Sequence, residues 1–404
     1  MTRLRSLLVA GLAICAVPLL LPPAARSADD RVFAAPLVVD HRGTESTGEP
    51  SVAVAPDDSI YIVAPDGAGV RTPGVTGGLG VGGSLIWRSD DKGKDWRFLG
   101  SLDVPTGGGD SDIVVAPNGT VYGSGLSYVA CSTVSVSHDK GETFVPDPIA
   151  GCGKFPLMND RQWNDVDGNN TVFTVIGDTQ NTQIDLIRSR ITNPIVVPSQ
   201  TLQLSVTPDY QWPGTIAVDH RNGTAYTVWN TEGAPNDCDD TACKVPASSV
   251  TADRVLISIL PRGATSPPAP VLVASRRFDT FDSFVSNAVD KAGTVYVVWS
   301  ERHPAVKETW TMLATSHDGG QHWSAPVKVN KAAATTTFPW VTAEDAGRIG
   351  SFGGALFRGT ARSCFPAGEV ENGGADAAGP HAQQRAAAGL FHIVTMRGYG
   401  QNFG

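Results

Sequence analysis

The chain has 404 residues and an acidic balance, with 31 Lys and Arg against 40 Asp and Glu and a formal net charge of −9 at pH 7. That sign argues against nucleic acid and anionic lipid as partners, although a local Arg cluster can still hold a carboxylate inside an acidic protein. The 44 Gly and 28 Pro call for many turns and suit an all-β chain.

The first element in chain order has the form of a secretory signal. Arg3 and Arg5 make a basic start, Leu7 to Leu21 is apolar, and Ala25-Arg26-Ser27 places small residues for cleavage after Ser27. Residues 1–27 are therefore expected to be removed and the protein secreted. Their three Arg and no acid take the charge from −9 to −12. The apolar run is short for a bilayer span, and no other segment is apolar enough to be one, so no membrane partner is expected after cleavage. Next, Phe33 to Asp40 reads as a strand.

Six weak repeats follow. Each is an apolar strand, a Pro- or Asp-centred turn, and a second strand often of Gly-x-Val-Tyr type. They are anchored on Pro56, Pro117, Asp167, Asp219, Asp290 and Asp345, at spacings of 61, 50, 52, 71 and 55 residues. That period fits one four-stranded sheet per repeat. A stronger pattern, Ser-x-Asp-x-Gly-x-x-aromatic, occurs three times, each after an apolar run: Ser89-x-Asp91-x-Gly93 with Trp96, Ser137-x-Asp139-x-Gly141 with Phe144, and Ser316-x-Asp318-x-Gly320 with Trp323. The Ser and Asp can accept bonds from turn N–H groups, Gly can take positive φ, and the aromatic packs as the next strand leaves. After Ile349 the alternation fails, and residues 351–404 read as an atypical tail rich in Ala and Gly, disordered or non-native, with only Leu390 to Met396 strand-like. Of six cysteines, Cys131 and Cys152 flank the second such turn and can tie the ends of a hairpin. Cys238 and Cys243 can close a small ring, and Cys364 is left over. This usage fits an oxidising compartment.

The three turns resemble the Asp-box, or bacterial neuraminidase repeat, of the sialidase superfamily. The resemblance covers about residues 33–350. It implies a six-bladed β-propeller with an incomplete last blade and a glycan partner, and a monomer is expected. For a sialidase it further implies an exo-α-glycosidase that uses an arginine triad for a carboxylate, an Asp acid and a Tyr activated by a Glu. The family's early Phe/Tyr-Arg-Ile-Pro motif is absent, Asp40-His41-Arg42-Gly43 standing nearest its place. The alternative is a propeller that binds glycan or protein without catalysis.

In such a fold the Asp-box turns lie at one end of the sheets, so the candidate site lies at the other. There the inner strands begin, with Glu49; Asp110 and Asp112; Asp160, Arg161 and Trp163; Tyr210 and Trp212; Asp279 and Asp282; Phe338 and Trp340. The loops between second and third strands add Arg71, Glu232, Asp237, Asp239, Asp240, Glu301, Arg302 and His303. Asp112, Asp110 and Glu301 are the candidate catalytic acids. Arg161, Arg302 and Arg71 are candidates for a substrate carboxylate, and Trp212 and Trp340 for a sugar face. Each has a plainer reading: Asp110 and Asp112 as turn caps or Ca²⁺ ligands, Asp160-Arg161 as an ion pair, Trp163 as core. No Cys/His spacing suggests zinc, and no cofactor is expected, Ca²⁺ at Asp110 and Asp112 being the alternative.

Overall fold

The structure is a computed structural model that describes Leu37, Val39 and residues 49–66, 83–103, 107–127, 131–152, 159–178, 183–192, 195–205, 210–232, 253–276, 285–303, 308–329, 334–357 and 391–397. These form six antiparallel sheets in chain order, and no helix occurs among them. The first sheet is β1 (Ser51–Val54), β2 (Ile60–Pro65), β3 (Ser84–Ser89) and β4 (Arg97–Ser101). The second is β5 (Gly107–Val115), β6 (Val121–Ser127), β7 (Ser132–Ser137) and β8 (Val145–Gly151). The third is β9 (Asn159–Asp167), β10 (Thr171–Asp178), β11 (Gln183–Thr192) and β12 (Ile195–Gln203). The fourth is β13 (Tyr210–Asp219), β14 (Thr224–Glu232), β15 (Asp253–Leu260) and β16 (Val271–Arg276). The fifth is β17 (Ser286–Val289), β18 (Val295–His303), β19 (Glu308–Ser316) and β20 (Val327–Lys328), and the sixth is β21 (Ala334–Ala343), β22 (Arg348–Phe357) and β23 (Phe391–Arg397). Within each sheet, neighbours in sequence are neighbours in space.

Period-two alternation lets each strand feed two cores. On β14, Ala225 and Trp229 join the core between the third and fourth sheets, while Tyr226 and Val228 join the core between the fourth and fifth. On β18, Val295, Val297 and Trp299 face back to the fourth sheet, and Tyr296 and Val298 face on to the sixth. Five such cores join the six sheets in succession. Trp229 and Trp299 are fully buried in them.

The first strands are also joined laterally. Ser51 Oγ donates to Asp112 Oδ1 (2.7 Å), and Asn164 N donates to Asp112 Oδ2 (2.7 Å). Val218 N donates to Asp165 Oδ2 (2.6 Å), Asn287 N to Thr215 Oγ1 (2.9 Å), and Val341 N to Ser286 Oγ (3.3 Å). These bonds set β1, β5, β9, β13, β17 and β21 side by side. Trp340 of β21 packs against the core of the third and fourth sheets. The first strands therefore face a common centre.

All three Ser-x-Asp-x-Gly turns have the same wiring. The Ser hydroxyl donates to the Asp carboxylate (2.8, 2.7 and 2.8 Å) and accepts the Gly N–H, at 2.8 Å in each. The Asp accepts N–H groups three to four residues on: Lys94 and Asp95, Thr143, and Gln321 and His322. The three glycines all have φ of 85°, where a Cβ is strained. The Cys131–Cys152 disulfide closes the β7–β8 hairpin, with Cα atoms 4.7 Å apart. Cys238, Cys243 and Cys364 lie outside the described residues.

Strand structure continues past residue 350. β22 runs to Phe357 and pairs with β23 from Gly354↔Phe391 to Arg348↔Arg397. Gly350, Gly353 and Gly354 supply backbone to the ladder but no apolar alternation, so the strand carries little sequence signal.

Candidate functional site

A β-bulge recurs near the start of the inner strands. Register shifts occur between Gly109 and Asp112, between Gln162 and Asp160, between Pro213 and Ile216, and between Thr337 and Trp340. Four non-glycine residues here have left-handed backbone: Glu49 (φ 47°), Asp110 (41°), Arg161 (62°) and Phe338 (49°). Glu49, Asp110 and Phe338 stand five positions, and Arg161 six, before the residues that end their ladders with the second strand, Val54, Val115, Ala343 and Asp167. Such backbone costs on the order of 1 kcal/mol or more per residue and re-aims the side chain.

Three of these side chains meet. Arg161 grips Glu49 with both terminal nitrogens, at 3.0 and 3.1 Å, and its Nη1 lies 3.3 Å from Asp110 Oδ1. Burial opposes the charge on Glu49, but a hydrogen bond with Asp110 and the Arg161 guanidinium outweigh it and hold Glu49 below the usual carboxylate range. Gln162, itself buried, donates from Nε2 to the Asp110 carbonyl and fixes the bulge.

Asp112 does not share this surface. It is 5% exposed, and its oxygens accept from Ser51 Oγ, Asn164 N and Asn164 Nδ2. Burial pushes its carboxyl above the usual range against those bonds. The geometry is that of a pin through three sheets, with no lone carboxyl left facing a substrate. Glu301 is likewise buried, on β18 opposite Trp310. The oxygens of Asp112 are committed to protein donors rather than arranged for Ca²⁺. Among the described residues no three of His, Cys, Asp and Glu converge to hold a metal ion.

The opposite half of the same end is aromatic. Trp163 lies in the core of the third and fourth sheets at 9% exposure, and Trp340 packs against that core while remaining partly open. Phe338, two residues before Trp340, is 53% exposed. Trp212 is partly buried on β13. Arg71, Asp237, Asp239, Asp240, Asp279 and Asp282 lie outside the described residues, as do the side chains of Asp160, Tyr210, Glu232, Arg302 and His303. Among the described tyrosines, Tyr61, Tyr122 and Tyr296 bond at the turn end, to Lys140 O, Asn169 O and Asp290, and Tyr226 is buried in the core of the fourth and fifth sheets.

Two features of the site are not apparent without the structure. One is the grip of Arg161 on Glu49; the recurrence of Glu49, Asp110, Arg161 and Phe338 six or seven positions before the anchors Pro56, Pro117, Asp167 and Asp345 is the signal that could have revealed it. The other is a buried chain behind Asp110: Ser111 Oγ donates to Ser84 Oγ (2.8 Å), which donates to Asp103 Oδ2 (2.7 Å). Burial raises the Asp103 carboxyl. A Cβ on Gly125 would lie 2.3 Å from Asp103 Oδ2, so only glycine fits.

No protein-family model matches the chain, and no curated protein matches it. Solved structures do. A protein of unknown function from Dyadobacter fermentans aligns with TM-score 0.51 at 13% identity, over 78% of this chain and 92% of that one. An α-L-arabinofuranosidase from Fusarium graminearum in complex with an iminosugar inhibitor aligns with TM-score 0.51 at 16% identity, over 78% and 89%. The same enzyme with arabinobiose gives 0.51 at 17%, over 77% and 89%. The fold is of the β-propeller kind. At this identity the likeness shows the fold alone.

Proposed function

We propose that this protein is a secreted, six-bladed propeller of the sialidase superfamily that engages glycans at the end where its inner strands begin. The observation that carries the reading is the division of that end. Charged Glu49, Asp110 and Arg161 project from the first three sheets, and aromatic Trp212, Phe338 and Trp340 from the fourth and sixth. Aromatic faces stack on sugar rings, and fixed hydrogen-bonding groups select hydroxyls or a carboxylate. The arabinose-processing neighbour supports a carbohydrate ligand in a general sense.

Binding without turnover fits the geometry best. The Arg161 fork is already occupied by Glu49. Glu49 and Asp110 touch, whereas glycosidase carboxyls that flank a scissile bond stand about 5–10 Å apart. An exo-α-sialidase or other exo-glycosidase reading has one observation in its favour, the gathering of two carboxyl groups, Glu49 and Asp110, around Arg161. The test is a glycan-binding screen of the purified chain beside fluorophore release from an α-sialoside and an α-L-arabinofuranoside. Binding without release supports the first reading. Release that disappears in Asp110→Asn supports the second, and neither binding nor release by a folded chain rejects both.

A further inference from the structure

Arg161 is the bulged residue of β9. Gln162 pairs with Ile176 and Asp160 with Gly177, and the register skips the residue between them. Its left-handed backbone, at φ 62°, carries the side chain to Glu49 and Asp110. Backbone of this kind persists only where its surroundings hold it. The holders stand on both sides. Asn159 Nδ2 donates to Gly151 O (2.7 Å). The buried Gln162 accepts from Ser132 Oγ over 3.4 Å and donates from Nε2 to Asp110 O. Ser132 and Gly151 are themselves a ladder pair of β7 and β8, each next in sequence to one half-cystine of the Cys131–Cys152 bridge. The pair is tightly apposed, since a Cβ on Gly151 would lie 2.5 Å from Ser132 O.

We infer that the disulfide-closed end of β7 and β8 is the anchor that positions Arg161, and that Gln162 is the positioning residue that extends this anchoring to Asp110. The bridge fixes Ser132 against Gly151. These two fix Gln162 and Asn159, and the chain between those residues is held in the bulge. The Gln162 amide meets β7 with its oxygen and β5 with its nitrogen, so one buried side chain ties the starts of two strands of the second sheet to the residue beside Arg161. A buried amide that loses a partner is costly, which makes this arrangement determinate. Stability alone asks only that a bridge close a loop. Here the bridge also sits at the end of the hairpin that touches β9. The grip on Glu49 and Asp110 is thereby set before a ligand arrives, which lowers the cost of ordering the site on binding. The inference rests on the reading of this end as the ligand site, and its test needs no glycan.

The full chain is treated with phenylglyoxal, an arginine-directed dicarbonyl, as wild type, Gln162→Leu, Asn159→Ala, and Cys131→Ser with Cys152→Ser. Labelling of Arg161 is followed by peptide mass spectrometry beside Arg221 and Arg262, which pair with Asp219 and Asp167 in turns of the fourth sheet, away from the bridge. A gripped guanidinium reacts when the grip opens, and loss of one ordinary hydrogen bond raises the open fraction roughly three- to tenfold. Arg161 labelling is expected to rise by about that factor in each variant, while Arg221 and Arg262 keep their wild-type rates. Unchanged Arg161 labelling in folded variants overturns the inference. So does a rise shared equally by all three arginines, which marks general loosening. Should the cysteine variant fail to fold, Gln162→Leu and Asn159→Ala carry the same test. A glycan screen without hits leaves these rates untouched, so the two failures are distinguishable.

Discussion

Replacement of Asp112 separates a structural pin from a catalytic acid. In Asp112→Ala the buried Asn164 N–H loses its acceptor, Asn164 Nδ2 keeps only Ser124, and Ser51 turns to water. An orphaned buried donor costs about 1–3 kcal/mol, and the cavity adds roughly 1 more. Release of a desolvated carboxyl offsets part of this, which leaves about 2–4 kcal/mol. Asp112→Asn keeps the shape and one acceptor oxygen, at about 1–2 kcal/mol. Urea unfolding should show the midpoint falling in the order wild type, Asn, Ala, with an unchanged slope. Glycan binding by the folded Asn variant should equal wild type. An Ala variant with a wild-type midpoint would refute the pin. So would an Asn variant that folds with full stability and loses activity, which would return Asp112 to catalysis.

Other outcomes follow from the same geometry. Asp165, on the inner strand β9, accepts from Val218 N and Val166 N, and burial raises its carboxyl to about 6 although nearby His220 pulls the other way. A raised carboxylate loses stability as pH rises, so this group should contribute up to about 2–3 kcal/mol near pH 4 that fades by pH 6; the difference curve between wild type and Asp165→Asn measures it, and a flat difference rejects the assignment. Gly125→Ala, which drives a methyl into Asp103 and Ser84, should cost more than about 3 kcal/mol or prevent folding, as scored by soluble yield and melting. Reduction of the Cys131–Cys152 bridge, which spans 21 residues, should cost about 3 kcal/mol in a calorimetric melt run with and without reductant.

The parts of the fold governed by local rules were legible in the sequence. Ser89, Asp91 and Gly93 lie within five residues, and their bonds depend on nothing outside the turn. The hairpins of β14 and β18 announce themselves through alternation that ends in Trp229 and Trp299. The site was less legible because it is made by residues far apart, with 112 positions between Glu49 and Arg161. Bulges also break the period on which sequence reading relies. Asp110 and Asp112 have the spacing that puts two side chains on one face of a regular strand, yet the left-handed turn at Asp110 sends one to Arg161 and the other inward to Asn164. In the sixth sheet the later part of β22 left no signal, because Gly350, Gly353 and Gly354 make backbone bonds without an apolar pattern.

The central claim, that glycans are engaged where the inner strands begin, is tested most directly by titrating the purified chain with the glycans recovered from a screen, beside Trp340→Ala and Arg161→Ala. The account predicts saturable binding that weakens at least about tenfold in each variant, since one aromatic stack or charged contact contributes 1.4 kcal/mol or more, while both variants still unfold cooperatively. Binding that is unaltered in both folded variants would place the glycan elsewhere and contradict the account.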